Sequence, residues 1–372
     1  MKKCLPAVLF FLCFIIFERA NADDLGFSRI RSDINRIIKD KIYKKLALEL
    51  VDTYEKDAGT DAGQDNWSHI RRLLDSVTEN VTELKKNRID IDVLFPGILA
   101  SDIGKTRVGD IIKESNESGL VFPGLEKVKL GDKDKFKAFL LHEEWGIKFV
   151  TKRLRELGEQ AHLGKKKIDE MIDRSVQVSR YHCGPSIQGT WWQVNFEKMF
   201  SIPYGEVTSR EGWFHALVDR HDQSSLILQD GRLEGGTVKI LNETWRNNNW
   251  NSDKKKVSFA EFVRNAFLEN SKNTHRQVKA LLDLSKKDKK FSGLYKMKVS
   301  KQKAYEARHV IEQVKQYILF RVKVVEGKKE EDVIVRLPSG NEFSVNNPDE
   351  FYSKIAKALE EERKSKKHPA LH

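Results

Sequence analysis

The chain is poor in the residues that lock small exported domains together. Its 372 residues hold three cysteines, Cys4, Cys13 and Cys183. Eight prolines and 22 glycines are too few for a collagen-like or linker-dominated chain. No internal repeat is found, which argues against a solenoid or a propeller. There is no G-x-x-x-x-G-K-[ST] and no strand-linked G-x-G-x-x-G, so nucleotide chemistry has no support. No histidine pair sits at a standard metal spacing. His142-Glu143-Glu144-Trp145-Gly146 begins like a zinc-protease helix but has Gly146 where a second histidine is required, and His215, His221 and Asp222 fit no standard pattern. The sequence therefore predicts neither a metal nor any other cofactor. After residue 22 no stretch is long and apolar enough to span a bilayer.

What is present begins with export. Lys2 and Lys3 precede an apolar run from Leu5 to Phe17, and Ala20-Asn21-Ala22 follows as a small-residue cleavage site. A basic start, a short apolar core and a small-residue exit read as a secretory signal peptide over residues 1–22. Cleavage after Ala22 would leave 64 basic and 54 acidic residues, with Cys183 as the sole cysteine. A secreted, soluble protein without an internal disulfide has to rely on its core. Hydrophobic residues at 39% and charged residues at 33% make that feasible. Asn66, Asn80, Asn116 and Asn242 open Asn-x-Ser/Thr triplets, acceptors for glycans in a eukaryotic secretory route and then surface positions.

Three regions follow the signal peptide. Residues 23–175 read as helical. Apolar residues recur at helical spacing from about Phe27 to Tyr54, and again from Ile70 to Leu84 behind Asp65 as an N-cap. Residues 95–131 read as loops around one short helix near Val108–Glu114, since glycine and proline are dense there. Asp132 offers a cap for the next helix, and residues 165–178 form another. Residues 176–252 hold five of the seven tryptophans and read as a small antiparallel sheet, led into by a helix over residues 186–200. Trp213 to Val218 and the runs at 226–228 and 238–241 are its expected strands. Residues 253–372 form a basic helical region. Ser258-Phe259-Ala260-Glu261 is a capping box, helices follow at 259–269, 274–284 and 301–317, and a strand follows at 317–325. A hairpin is expected around Pro338-Ser339-Gly340-Asn341, then a final helix after Pro348. The fold class is thus α+β and predominantly helical.

Charge is concentrated. Residues 271–325 carry 15 Lys/Arg against Asp283, Asp288, Glu306 and Glu312, about the whole excess of the cleaved chain. Lys286, Lys287, Lys289, Lys290, Lys296, Lys298, Lys301 and Lys303 are its densest part. Such a footprint fits an anionic partner: an acidic glycan, a lipid surface or nucleic acid. Lysine outnumbers arginine 12 to 3 in this window. That mix favours point-charge attraction over bidentate base readout, and argues against sequence-specific nucleic-acid binding. The leading expectation is a secreted cationic binding or effector protein; oligomeric state is not readable.

The alternative is catalytic. Tyr181-His182-Cys183-Gly184-Pro185-Ser186 precedes an expected helix, and a cysteine at a helix N-terminus has a depressed pKa. His215, then Asp230 beside Gly231, supply a base and an orienting acid in the chain order Cys, His, Asp. The Cys-Gly-Pro-Ser run resembles the nucleophile region of bacteriocin-processing papain-like peptidases over about residues 181–250. The resemblance implies a cysteine hydrolase with Cys183, His215 and Asp230 as its triad. The chain departs from that family in two ways: the gap of 32 residues from Cys183 to His215 is short, and no oxyanion glutamine is evident upstream.

Overall fold

The structure, a computed structural model, describes residues 25–117, 120–122, 125–180, 182, 191–201, 203–225, 258–336, 340–345 and 350. Cys183, Asp230, Asn242, the residues of the signal-peptide reading, the expected strands at 226–228 and 238–241 and the final helix lie outside them. The chain divides into two compact units, residues 1–216 and 217–372. It is mostly helical, with a three-stranded antiparallel sheet near the C-terminus, as the α+β reading expects.

The first unit is built from helices. Helix α1 (Phe27–Ile37) buries Phe27, Ile30, Ile34 and Ile37 on one stripe. Helix α2 (Lys41–Asp57) is separate from it, where the sequence predicts one helix to Tyr54. The break arises because the Asp92 carboxylate accepts the backbone N–H groups of Lys39 and Asp40, both at 2.9 Å, while Asp40 caps α2 through Ile42 and Tyr43. Helix α3 (Asp61–Thr78) starts four residues earlier than its expected cap. Thr60, not Asp65, accepts from the Gly63 amide. Its Trp67 is fully buried and stacks on Phe27 with centroids 4.2 Å apart. Each such buried apolar side chain contributes roughly 1.5–3 kcal/mol relative to exposure. Helix α4 (Val81–Lys86) leads to α5.

Helix α5 (Ile91–Ser101) corrects a larger misreading. Residues 95–101 are helix, not loop, despite Pro96 inside. Its residues from Val93 to Ser101 are all buried, so the helix is apolar all round and shows no periodicity to detect. Gly97 belongs there for packing: a Cβ would lie 2.4 Å from Val178 Cγ1. A 3₁₀ turn (Ile103–Thr106) and α6 (Val108–Glu117) follow, the latter as expected. Strands β1 (Leu120–Phe122) and β2 (Leu125–Val128) pair antiparallel. Helix α7 (Lys135–Leu140) begins after Asp134 rather than Asp132, and the Asp134 carboxylate accepts from Gly131 N at 2.8 Å. Helices α8 (His142–Gln160) and α9 (Lys165–Ser179) pack on α5, and α10 (Trp191–Phe200) joins α6 and α7 around Ile111, Leu140, Phe196 and Tyr204.

Helix α11 (Arg210–Ser225) replaces the strand expected at Trp213–Val218. Trp213, Phe214, His215, Ala216, Leu217 and Val218 are all at most 1% exposed. A stretch of helix buried on every side reads as a continuous apolar run, which periodicity alone cannot separate from a strand.

In the second unit Ser258 caps α12 (Phe259–Val263) by accepting from the Glu261 amide, and a π turn (Arg264–Glu269) continues it. Helices α13 (Asn270–Lys287) and α14 (Lys298–Tyr317) pack on each other. Strands β3 (Ile318–Val325), β4 (Lys328–Arg336) and β5 (Glu342–Val345) form an antiparallel sheet in that order. The β3–β4 turn, which the sequence reading did not anticipate, uses Glu326 and Gly327, both at positive φ, as a tight two-residue hairpin requires. The core joins Phe262, Phe267, Val310, Val314, Ile318, Val333 and Val345.

Candidate functional site

Four elements of the first unit converge on one carboxylate. Asp102 follows α5 and is fully buried. A buried charge needs partners on every side. Its Oδ2 meets Lys105 Nζ at 2.6 Å and His69 Nε2 of α3 at 3.2 Å. Its Oδ1 meets Nε2 of His142, the first residue of α8, at 3.1 Å and Nε2 of His182, just past α9, at 3.3 Å. Asn66 of α3 donates to the Asp102 backbone carbonyl at 3.0 Å. Burial by itself would raise the Asp102 carboxyl. The Lys105 charge and hydrogen bonding with His142, His182 and His69 outweigh it and hold the group well below the usual carboxylate range.

The imidazoles are fixed from behind. His142 Nδ1 lies 2.9 Å from the Phe139 carbonyl, and His182 Nδ1 lies 2.9 Å from the Ser179 carbonyl and 2.8 Å from Glu143 Oε1. A carbonyl only accepts, so both Nδ1 atoms carry the proton. Each Nε2 donates to the Asp102 carboxylate when its ring is doubly protonated; in the neutral rings the Nε2 lone pairs face that carboxylate instead, the arrangement that a bound cation needs. Glu143 is itself buried. Burial would raise its carboxyl, but the charge and hydrogen bond of His182, then His142 and the Tyr204 hydroxyl, bring it down to about 2. Arg180 ties the segment carrying His182 to α8 through two hydrogen bonds to Glu144, at 2.9 and 2.7 Å. Two glycines permit the approach: a Cβ on Gly104 would lie 2.3 Å from the His142 carbonyl oxygen, and one on Gly146 would lie 1.9 Å from that of Ala100.

This donor set has the chemistry of a metal centre. Asp102, His142 and His182 each offer one ligand atom, all within 4.8 Å of one another. An ion bound tetrahedrally at about 2.0–2.1 Å keeps its ligand atoms about 3.3 Å apart, close to the 3.1 and 3.3 Å seen here. Backbone carbonyls and Glu143 behind the imidazoles supply the outer contacts that metal-bound histidines make.

Sequence reasoning missed this centre. Its residues lie 40 apart, at 102, 142 and 182, on different elements, so no local spacing reveals them. The one local signal is His142-Glu143, and Gly146 stands where the zinc-protease pattern places its second histidine. Of the expected triad, His215 is described. It sits on helix α11 rather than on a strand, fully buried. Its Nδ1 is 2.8 Å from the Val178 carbonyl, its Nε2 3.4 Å from Ser101 Oγ, and its ring stacks on His182 at 4.7 Å. It buttresses His182. His221 pairs with Glu306 at 2.8 Å within the second unit.

The lysines are exposed, at Lys286, Lys287, Lys289, Lys290, Lys296, Lys298 and Lys301; Lys303 is half-buried, 3.4 Å from Glu306. Among the sequons, Asn116 is exposed and Asn80 half-buried. Asn66 corrects the surface expectation: it is buried and its amide is given to Asp102, so it is no folded-state glycan acceptor. No helix among the described residues is long and apolar enough to cross a membrane. Comparison with protein-family models, curated proteins and solved structures finds no match.

Proposed function

We propose that the chain is an exported, metal-dependent hydrolase acting on an anionic ester such as a phosphate or sulfate ester. The observation that carries this reading is the Asp102–His142–His182 donor set. Three protein ligands, rather than the four of a structural zinc site, would leave a fourth position for water. Bound there, a divalent ion lowers the pKa of its water to about 7 and supplies hydroxide at neutral pH. The chain's own residues do the rest. Glu143 and the Phe139 and Ser179 carbonyls hold the two imidazoles in the Nδ1–H tautomer. His215 supports the His182 ring. Lys105 and His69 stand on the Oδ2 side, where the side chains are 21% and 12% exposed, and present positive charge and a hydrogen-bonding ring toward solvent. The formal charge of +12 suits an anionic substrate, and the Lys2-to-Ala22 pattern supports export.

Metal analysis of the purified chain, followed by titration with zinc, manganese and cobalt, tests the reading. One ion per chain is expected, with a cobalt absorption spectrum indicating nitrogen ligation, lost in His142→Ala and His182→Ala. Hydrolysis of p-nitrophenyl phosphate, its bis-ester or the sulfate should follow metal loading. Failure to bind any of the three ions stoichiometrically would overturn the proposal.

A second reading, non-enzymatic attachment to an anionic glycan, lipid surface or nucleic acid, is favoured by the exposure of seven lysines between residues 286 and 301. Retention on heparin that falls steeply with salt supports it; elution unchanged by neutralising Lys289 and Lys290 speaks against it.

A further inference from the structure

Among its described residues, the second unit gathers hydrogen-bond donors that have no acceptor. On α13, Ser271, His275 and Lys279 stand at i, i+4 and i+8, one above the next on a single helix face. Helix α14, packed against α13, contributes Arg308. The other described arginines of this unit show what Arg308 lacks. Arg220 holds Asp219, Arg264 holds Glu331, and Arg321 and Arg336 both hold Glu342. Arg276 donates to the Lys272 carbonyl at 3.4 Å. Among the described residues neither Arg308 nor Lys279 has a carboxylate within salt-bridge distance. The Ser271 hydroxyl is buried, at 1% residue exposure, and without a hydrogen bond; the buried His275 Nδ1 is likewise unpartnered.

Buried polar groups are nearly always satisfied, so two orphans one helical turn apart call for a cause. Electrostatics points the same way. Burial first, then the charges of Arg308 and Lys279, hold the His275 imidazole below its ordinary value, so both cations stand near enough for His275 to feel them. A neutral imidazole, a hydroxyl, an ammonium and a guanidinium, with no acidic partner among them, are the complement of a tetrahedral oxyanion. Phosphate offers several acceptor oxygens at once, and arginine meets it with two parallel N–H groups.

We propose that Ser271, His275, Lys279 and Arg308 form a binding site for a phosphate group, at the seam of α13 and α14. Lys279 and Arg308, both exposed, would supply the charge, and Ser271 and His275 the unsatisfied polar atoms. Tyr305, 68% exposed and stacked on His309 one helical turn from Arg308, adjoins it with an aromatic surface. The ligand is therefore a free phosphate or a small phosphomonoester carrying an aromatic group.

The test is NMR titration of the full mature chain with inorganic phosphate and, separately, with adenosine 5′-monophosphate, following the His275 imidazole. Saturable shifts with one ligand per chain are expected, weakened at least tenfold in Arg308→Gln and in Lys279→Gln. Equal affinity for the two ligands assigns free phosphate, and tighter monophosphate binding, lost in Tyr305→Ala, assigns the phosphomonoester. Lys289→Gln/Lys290→Gln, which changes the net charge without touching the seam, should bind as the parent does. The proposal fails if His275 shows no saturable shift, or if Lys289→Gln/Lys290→Gln weakens binding as much as Arg308→Gln, since attraction would then be diffuse.

Discussion

In the first unit, charge is packed inside: Asp102, Glu143, His142 and His182 are buried, and their carboxylate and ring atoms approach one another and Lys105 and His69 at 2.6–3.3 Å. In the second unit, the lysines from Lys286 to Lys301 are exposed, and their contacts lie at the surface, as in the Lys286–Asp283 pair. Removing a charge from water costs several kcal/mol per ion unless its partners restore the loss, whereas an exposed lysine gives up little and gains little. The buried centre must therefore be geometrically exact to exist at all, and the basic surface need not be. A precise constellation suits chemistry on one bound group; a loose one suits attraction that tolerates many shapes.

The sharpest way to break this contrast is to remove the central carboxylate. Asp102→Ala leaves the buried His142 and His182, with His69 and the partly exposed Lys105 beside them, without their anion, and should cost about 3–5 kcal/mol in denaturant unfolding. A loss below 1 kcal/mol would mean the centre is wetter and looser than described. Next comes Gly146→Ala, whose Cβ would meet the Ala100 carbonyl at 1.9 Å. Overpacking of this kind costs about 1–3 kcal/mol and should weaken metal binding as α8 is pushed from α5. Unaltered stability and metal affinity would show that the two backbones have room to part.

An acid titration sharpens the comparison within the second unit, whose exception is the pair His221–Glu306. Burial lowers His221, with the Glu306 hydrogen bond only partly opposing it. Glu306 is lowered to about 2, because the His221 and Gln302 hydrogen bonds and the Lys303 charge overcome the effect of burial. Both groups bind protons more readily unfolded, so both make stability fall on acidification. His221 acts below its ordinary 6.5, and Glu306 from about 4.5 toward 2. Glu306→Gln should flatten the lower part of the unfolding-midpoint curve, and a curve parallel to the parent's would remove Glu306 as its cause. The smallest effect is expected from Lys289→Gln/Lys290→Gln. Stability should move by no more than about 0.5 kcal/mol, while the salt needed for elution from heparin drops.

The same contrast explains what could be read in advance. Amphipathic helices such as α1, α9 and α14 announce themselves because one face is wet, and the β4–β5 hairpin is marked by turn residues. Helices α5 and α11 were misread as loop and strand because they have no wet face, and burial all round erases the periodicity on which such reading depends. The basic stretch was visible because charge adds up along the sequence. The Asp102 centre was not, because its ligands come from separate elements and meet only after packing. Its sequence trace is indirect, in glycines such as Gly104 and Gly146 that would be costly unless two backbones had to touch.

The 40-residue intervals between Asp102, His142 and His182 also have a kinetic meaning. None of these side chains can find the others while the intervening helices are unformed, and closing such loops is entropically costly before packing rewards it. An ion at this centre therefore cannot seed folding. It would act as a late fastener across α5, α8 and the end of α9, leaving the folding rate nearly unchanged and slowing the escape from the folded state.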